Sequence, residues 1–275
     1  MVDESSDDYP FRLQQFTAAV PNAFQVVRYG REPDQFGELW RAPGPSPQAV
    51  VVLIHGGYWR ARYRLDLMHA LAGDLRSRGY TVWNLEYRRI GVSGGGWPGT
   101  FDDIAAGIDM LWSLAGYYRL DPSRVTVVGH SAGGHLALWA SARQQLAASW
   151  GRPRVVPVHA VALAGVCDLV AAARQRLSND AAAELLGGGP DDIPGIYRQA
   201  CPRQLLPLGV PQTLVHGTAD TDVPLALSGE YAEAAELAGD QAAFWELPGA
   251  DHFDLIDPAS PAWASVAGRV LAPAG

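Results

Sequence analysis

Residues 125–134 read VTVVGHSAGG, and this stretch predicts a buried strand that turns sharply into a helix. The turn places Ser131 in a G-x-S-x-G string, between Gly129 and Gly133. A serine at such a turn must adopt a strained backbone to expose its hydroxyl, and small neighbours avoid the clashes that larger side chains would cause. The pattern predicts Ser131 as a nucleophile. The alternative is a glycine-rich turn in which Ser131 only caps the helix.

Strand and helix patterns alternate on both sides of this turn. The runs expected to form strands are residues 24–29, 36–40, 49–54, 81–87, 124–128, 158–164, 212–215 and 243–247. Helical patterns lie near residues 65–78, in a segment that starts at residue 100, and over residues 131–145, 225–237 and 262–271. Such alternation predicts the α/β class, with a doubly wound, mostly parallel sheet. We expect residues 1–275 to form a single domain. Residues 168–207 are expected to form an insertion, either a surface connection or a small cap over a pocket, and residues 1–20 a flexible arm.

Composition and charge exclude several classes of function. The chain of 275 residues has 29 acidic and 21 basic side chains, and its net charge of -8 disfavours a nucleic-acid or anionic-membrane partner. Every basic residue is arginine, which excludes Schiff-base catalysis, lysine-anchored pyridoxal phosphate and the lysine of a P-loop.

Two cysteines, Cys167 and Cys201, are too few for a disulfide framework and lack metal-site spacing. With no secretory signal and no apolar run of bilayer length, we expect a cytoplasmic protein with two free thiols. No metal or other cofactor is expected. The sequence leaves open whether the chain forms a homo-oligomer.

A second glycine-containing turn, residues 55–59 with the sequence HGGYW, follows the predicted strand 49–54. Acyl transfer needs backbone N–H groups that converge on the attacked oxygen, and paired glycines let a backbone approach a ligand closely. The best donors are the N–H groups of Gly57 and Tyr58, together with that of Ala132. Trp59 either contacts substrate in the acyl pocket or packs in the core, and the sequence leaves these two roles open.

The expected acid and base follow the last two strands. Residues 216–224 read HGTADTDVP, and His252 follows the strand after them. Loops after successive parallel strands open at one edge of the sheet, so Ser131, Asp220 and His252 can meet there. The other histidines lie within predicted helices or strands, flank the nucleophile too closely, or precede the acid, as His216 does. Asp220 is favoured over Asp222 as the acid.

With these residues assembled, the chain resembles the α/β-hydrolase superfamily from about residue 24 to 271. The strings at 55–59 and 129–134 look like the esterase/lipase branch related to hormone-sensitive lipase, and the Tyr-Trp pair is similar to kynurenine formamidases. Residues 216–220 resemble the acid loop of the prolyl-oligopeptidase-like group, which supports Asp220. The resemblance implies hydrolysis of a small ester or amide through an acyl-enzyme. The alternatives are a ligand-binding protein without turnover and an acyltransferase on the same fold.

Overall fold

The computed structural model describes residues 23–44 and 48–270, and of residues 269 and 270 it describes the backbone. The arm expected at residues 1–20 lies outside the described residues, as does the end of the last predicted helix at residue 271. No helix in the described part of the chain combines the length and apolar character needed to cross a bilayer.

Eight strands form one sheet in the described residues. They are β1 Gln25–Arg28, β2 Phe36–Trp40, β3 Gln48–Ile54, β4 Thr81–Leu85, β5 Leu120–His130, β6 His159–Leu163, β7 Gln212–Gly217 and β8 Ala242–Leu247. Their order is β1-β2-β4-β3-β5-β6-β7-β8. Strand β2 runs antiparallel to both of its neighbours, and all other pairs are parallel. The expected doubly wound, mostly parallel sheet is confirmed.

Strand β3 lies in the middle of the sheet because both of its faces are apolar. Successive side chains of a strand point to opposite faces. Val50, Val52 and Ile54 accordingly belong to one core cluster, and Val51 and Leu53 belong to the other. A near-continuous apolar run is typical of a parallel strand covered on both faces, and the burial of both faces of β3 explains the apolar run at residues 49–54.

Helices cover both faces of the sheet. They are α1 His69–Ser77, α2 Gly99–Tyr118, α3 Ala132–Ser141, α4 Ala147–Trp150, α5 Leu169–Arg174, α6 Leu177–Leu186, α7 Pro194–Ala200, α8 Leu225–Leu237 and α9 Pro261–Val270, with short 3₁₀ helices at Leu65–Met68 and Pro202–Leu205. Apolar residues of α2 and α3 join one core cluster, and those of α1 and α9 join the other. Because strands β5 to β8 run parallel, the carboxyl ends of β5, β7 and β8 lie at one edge of the sheet.

The insertion at 168–207 is helical. Asp168 begins α5 as a side-chain cap, because its carboxylate accepts hydrogen bonds from the N–H groups of Val170 and Ala171 at 2.9 and 3.0 Å. The insertion packs on α3: the Trp139 indole donates to the carbonyl oxygen of Gln199 at 2.9 Å. The insertion therefore contacts the helix that begins at the predicted nucleophile. Its role as a cap over a pocket stays a prediction.

Candidate active site

Ser131 lies between β5 and α3 in a strained conformation, with φ 57° and ψ −120°. A positive φ at a residue other than glycine persists only where the surroundings hold it. Here the Ser131 N–H donates to the carbonyl oxygen of Leu163 at 2.8 Å, and the Ser131 carbonyl accepts from the N–H of Val166 at 3.2 Å. Hydrogen bonds to β6 and the segment after it therefore hold the turn that presents Ser131.

Two glycines beside Ser131 are required by close packing of the backbone. A Cβ atom at Gly129 would lie 1.9 Å from the carbonyl oxygen of Gly133, and one at Gly133 would lie 2.0 Å from that of Ile54. Both distances are far below van der Waals contact. The G-x-S-x-G string is thus a geometric requirement of this turn.

The glycine turn after β3 contacts Ser131 directly. A Cβ atom at Gly56 would lie 2.8 Å from the Cβ atom of Ser131. The following residues bend sharply, with φ 99° at Gly57, 47° at Tyr58 and 58° at Trp59. The predicted oxyanion donors Gly57 and Tyr58 thus follow the residue that touches Ser131, while Ala132 is its buried chain neighbour.

A buried pair holds the glycine turn in place. His55 Nε2 lies 3.0 Å from Glu86 Oε1, and neither side chain has any exposed surface. His55 Nδ1 lies 2.8 Å from the carbonyl oxygen of Gly56, and the Tyr87 hydroxyl donates to the carbonyl of His55 at 2.9 Å. Burial raises the pKa of Glu86, but the attraction and hydrogen bond of His55 and the charge of Arg89 outweigh it, so the net shift is downward. His55 therefore has a structural role in this turn.

The predicted acid and base form a short hydrogen bond. His252 Nδ1 lies 2.7 Å from Asp220 Oδ2, and the Asp220 side chain is fully buried. The other oxygen, Oδ1, accepts from the N–H groups of Asp222 and Val223 at 2.8 and 2.9 Å. Burial raises the pKa of Asp220, but hydrogen bonds from His216, His252 and Val223 outweigh it and bring that pKa well below its usual range. Asp220 is therefore a carboxylate near neutral pH.

His130 joins the base to the nucleophile turn. Its Nε2 lies 2.9 Å from the carbonyl oxygen of His252, and the two imidazole rings have centroids 4.4 Å apart. Burial and the proximity of His252 lower the pKa of His130 well below its ordinary value, so the ring is neutral. Since a carbonyl only accepts, the His130 proton is assigned to Nε2. The residue that precedes Ser131 is thereby bonded to the backbone of His252.

Asp222 is exposed and contributes backbone hydrogen bonds to the site. Its carbonyl oxygen accepts from the Tyr58 hydroxyl at 2.6 Å, which connects the glycine turn to the loop of the acid. The ligand atoms of Asp220, Asp222 and His252 lie within 4.8 Å of one another, a spacing that could hold a metal ion. However, His252 Nδ1 and Asp220 Oδ2 are already bonded to each other. The expectation of no metal stays a prediction.

Trp59 has no exposed surface and belongs to the core. Its indole N–H donates to Nδ1 of His135 at 3.2 Å, and Nε2 of His135 lies 2.9 Å from the carbonyl oxygen of Ala200. Burial lowers the pKa of His135 to about 4, so this ring is neutral. Of the two roles open for Trp59, burial favours core packing, because a side chain without accessible surface offers none to a substrate.

Sequence reasoning missed two residues that hold the site. Glu86 directly follows strand β4, in a string that resembles the esterase branch, but that resemblance gives it no role. His216 precedes the acid in the chain and is no candidate for the base, yet its Nε2 lies 3.1 Å from Asp220 Oδ2. Its place four residues before the acid was the available signal.

A sheet of this order, with a serine turn after β5, an aspartate after β7 and a histidine after β8, defines an α/β-hydrolase. Comparison with known families is consistent with that class. The model of the BD-FAE family matches residues 42–234, and the chain belongs to this family.

Curated relatives include esterases and a formamidase. Over 84% of its length the chain is 28% identical to Esterase LipC of Mycobacterium tuberculosis, and it spans 60% of that protein. It is 25% identical, over 84% of its length, to the kynurenine formamidase of Drosophila melanogaster, of which it covers 75%. The resemblance to the esterase branch and to kynurenine formamidases is thereby confirmed.

Solved esterase structures share the fold. Esterase B from Lactobacillus rhamnosis has a TM-score of 0.77 at 22% identity, with 93% of this chain and 87% of that one covered. Esterase 2 of Thermogutta terrifontis, solved with butyrate bound, has a TM-score of 0.72 at 21% identity, with 92% and 97% covered.

Proposed function

We propose that the protein is a serine hydrolase that cleaves a carboxylic ester of a small molecule through an acyl-enzyme. The observation that carries the proposal is the 2.7 Å hydrogen bond between His252 Nδ1 and Asp220 Oδ2 beside a strained serine turn. Nucleophilic catalysis by serine needs a base to accept its proton and an acid to orient that base.

In this mechanism His252 accepts the proton of Ser131 as its hydroxyl oxygen attacks the substrate carbonyl. Asp220 keeps the His252 proton on Nδ1 and leaves Nε2 free to act as the base. The N–H groups of Gly57, Tyr58 and Ala132 stabilise the oxyanion of the tetrahedral intermediate. His252 then gives its proton to the leaving alcohol or amine, and water releases the acid by the same sequence of steps.

An amide substrate is a second candidate. The Tyr58–Trp59 pair and the match to a kynurenine formamidase favour it, while the esterase relatives and the butyrate-bound neighbour favour short esters. Because the chain spans only about three fifths of the curated esterases it matches, the substrate is proposed as a class. Without turnover, the protein would be a ligand-binding protein on this fold.

The test is release of p-nitrophenol from p-nitrophenyl acetate and butyrate by three purified proteins: wild type, Ser131→Ala and Ser77→Ala. Ser77 is an exposed serine at the end of α1 and serves as the matched control. We expect turnover by wild type and Ser77→Ala and none above background by Ser131→Ala. Full turnover by Ser131→Ala would overturn the proposal. A panel with N-formylkynurenine then separates ester from amide cleavage.

A cytoplasmic location is proposed from the thiols. Cys167 and Cys201 are both buried and free, as expected in a reducing compartment. The small-molecule partner follows from the proposed reaction, and homo-oligomer formation stays open to measurement by light scattering.

A further inference from the structure

His216 is a fully buried histidine with three polar partners near the acid. It lies near the end of β7, four residues before Asp220. Its Nε2 is 3.1 Å from Asp220 Oδ2 and 3.0 Å from the carbonyl oxygen of Val223. Its Nδ1 is 2.8 Å from the hydroxyl oxygen of Ser228 in α8. Every polar atom of this buried ring is therefore engaged.

The partners of His216 determine where its proton lies. A carboxylate and a carbonyl only accept hydrogen bonds, so Nε2 must carry the hydrogen that faces Asp220 and Val223. The Ser228 hydroxyl can donate to Nδ1, an arrangement that matches a hydrogen on Nε2. Ser228 thus selects the form of His216 that donates to the acid.

His216 adds a close N–H contact to the three hydrogen bonds that the Asp220 carboxylate accepts. Oδ2 accepts from His252 at 2.7 Å, and Oδ1 accepts from the two backbone N–H groups described above. His216 Nε2, which is hydrogen-bonded to the Val223 carbonyl, lies 3.1 Å from the same Oδ2. Rotation of the carboxylate would break several of these bonds at once. The additional bond to the Val223 carbonyl closes the loop that carries Asp220.

We propose that His216 is a positioning residue that keeps Asp220 Oδ2 directed at His252 Nδ1 and stabilises the negative charge on that oxygen. The inference rests on the proposed function, because Asp220 and His252 act there as acid and base. His216 itself touches neither the substrate nor the nucleophile in this scheme. Its effect is exerted through Asp220.

Two substitutions at position 216 separate positioning from simple packing. His216→Phe fills the same space without a donor, whereas His216→Gln can place an amide N–H near the position of Nε2. We expect His216→Phe to lower kcat by about 10- to 100-fold, the range for loss of a hydrogen bond to a charged group, with KM within about twofold. His216→Gln should recover most of this loss.

The pH profile of kcat/KM provides a readout that packing alone would not move. Without the His216 donor, Asp220 Oδ2 attracts a protonated His252 more strongly, so the base is protonated at higher pH. We expect the acid limb for His216→Phe to move up by roughly half a pH unit, and that for His216→Gln to stay with wild type. Several titratable groups besides His216 surround the Asp220–His252 pair. They belong to Asp222, His130, Tyr58, Asp251 and Asp254, and Cys167 lies beside Ser228.

Ser228→Ala is the second variant, used whether or not His216→Phe folds. It removes the donor to Nδ1 and should lower kcat by about 3- to 10-fold with KM unchanged. Wild-type kcat and an unmoved acid limb in either folded variant would overturn the inference. So would an equal loss in His216→Phe and His216→Gln.

Ser131→Ala is measured in parallel to separate the two proposals. If it retains turnover, the proposed function fails. If it is inactive while His216→Phe keeps full kcat, only the inference about His216 fails.

Discussion

At the scale of single residues, the candidate site consists of side chains whose hydrogen bonds leave them one orientation. Asp220 is held through both oxygens, and His55 is held by Glu86 and by its own turn. Such bonds are formed before any substrate arrives. Preorganised groups of this kind stabilise a transition state without reorganising during the reaction.

The two aspartates of the acid loop provide a matched pair of variants. Asp220→Asn should lower kcat by roughly 10³-fold or more, because the amide cannot hold the His252 proton in the required position. Asp222→Asn should change kcat by less than about threefold, since Asp222 is exposed and its hydrogen bonds to Asp220 and Tyr58 are made by its backbone N–H and carbonyl. Steady-state kinetics on p-nitrophenyl butyrate measures both. Comparable losses in the two variants would contradict the assignment of Asp220 as the acid.

At the scale of elements, Arg60 connects the glycine turn to the insertion. Its guanidinium donates to the carbonyl oxygens of Ser178 and Asn179 at 2.7 and 3.3 Å and lies 3.1 Å from Glu184. The residues it contacts begin α6 in the left-handed region, with φ 47° at Ser178 and 53° at Asn179. Without glycine, such a turn is strained and depends on outside partners.

Loss of this connection should loosen the start of α6. Arg60→Met is expected to speed amide hydrogen exchange over residues 176–184 by about 5- to 30-fold, the effect of one or two lost hydrogen bonds. The Glu184 pair is half exposed and adds little. Arg62→Met, at a neighbouring exposed arginine that lies over the Tyr63 ring, is the control. Unchanged exchange in Arg60→Met would show that the insertion holds its own conformation.

The elements that sequence patterns predicted well are those that burial alone defines. The bounds of strand β3 and helix α8 agree with expectation within one residue. A continuous apolar run defines β3, and buried residues at helical spacing define α8. The strand expected at 124–128 extends over Leu120–His130 because Leu120 also pairs with Gln48, across a register shift that precedes the pairing of Val125 with Val50. Helix α3 ends at Ser141, short of the expected residue 145.

The parts of the site that sequence could not predict depend on loop conformation. Chain order was enough to pair Asp220 with His252. The contact of His216 with Asp220 depends on the conformation of the loop at residues 218–223. The burial of Trp59 depends on positive φ at Tyr58 and Trp59, neither of which is a glycine. The left-handed turn before Ala181 contains no glycine, so the sequence does not predict it.

At the scale of the whole molecule, buried neutral histidines make the fold sensitive to acid. Burial lowers the pKa of His135 to about 4, whereas an unfolded histidine titrates near 6.5. Between these values the unfolded chain binds the extra proton, so stability falls as pH falls. His130 shifts in the same direction.

The free energy of unfolding should therefore decrease between about pH 6.5 and 4 in the wild type. In His135→Gln this decrease should be smaller by up to roughly 3 kcal/mol, the equivalent of the shift in His135. Urea unfolding followed by tryptophan fluorescence at several pH values measures both slopes. An identical slope in the variant would contradict the buried neutral state of His135.

The central claim, that Ser131 is the nucleophile activated by His252, is tested most directly by covalent labelling. A fluorophosphonate reacts with a serine only where a base activates it and an oxyanion site receives the phosphoryl oxygen. Intact-protein and peptide mass spectrometry after labelling should show one adduct per chain, on Ser131, together with loss of esterase turnover. Ser131→Ala should remain unlabelled, and Ser77→Ala should label like wild type. An adduct on another residue, or turnover that survives complete labelling of Ser131, would contradict the account.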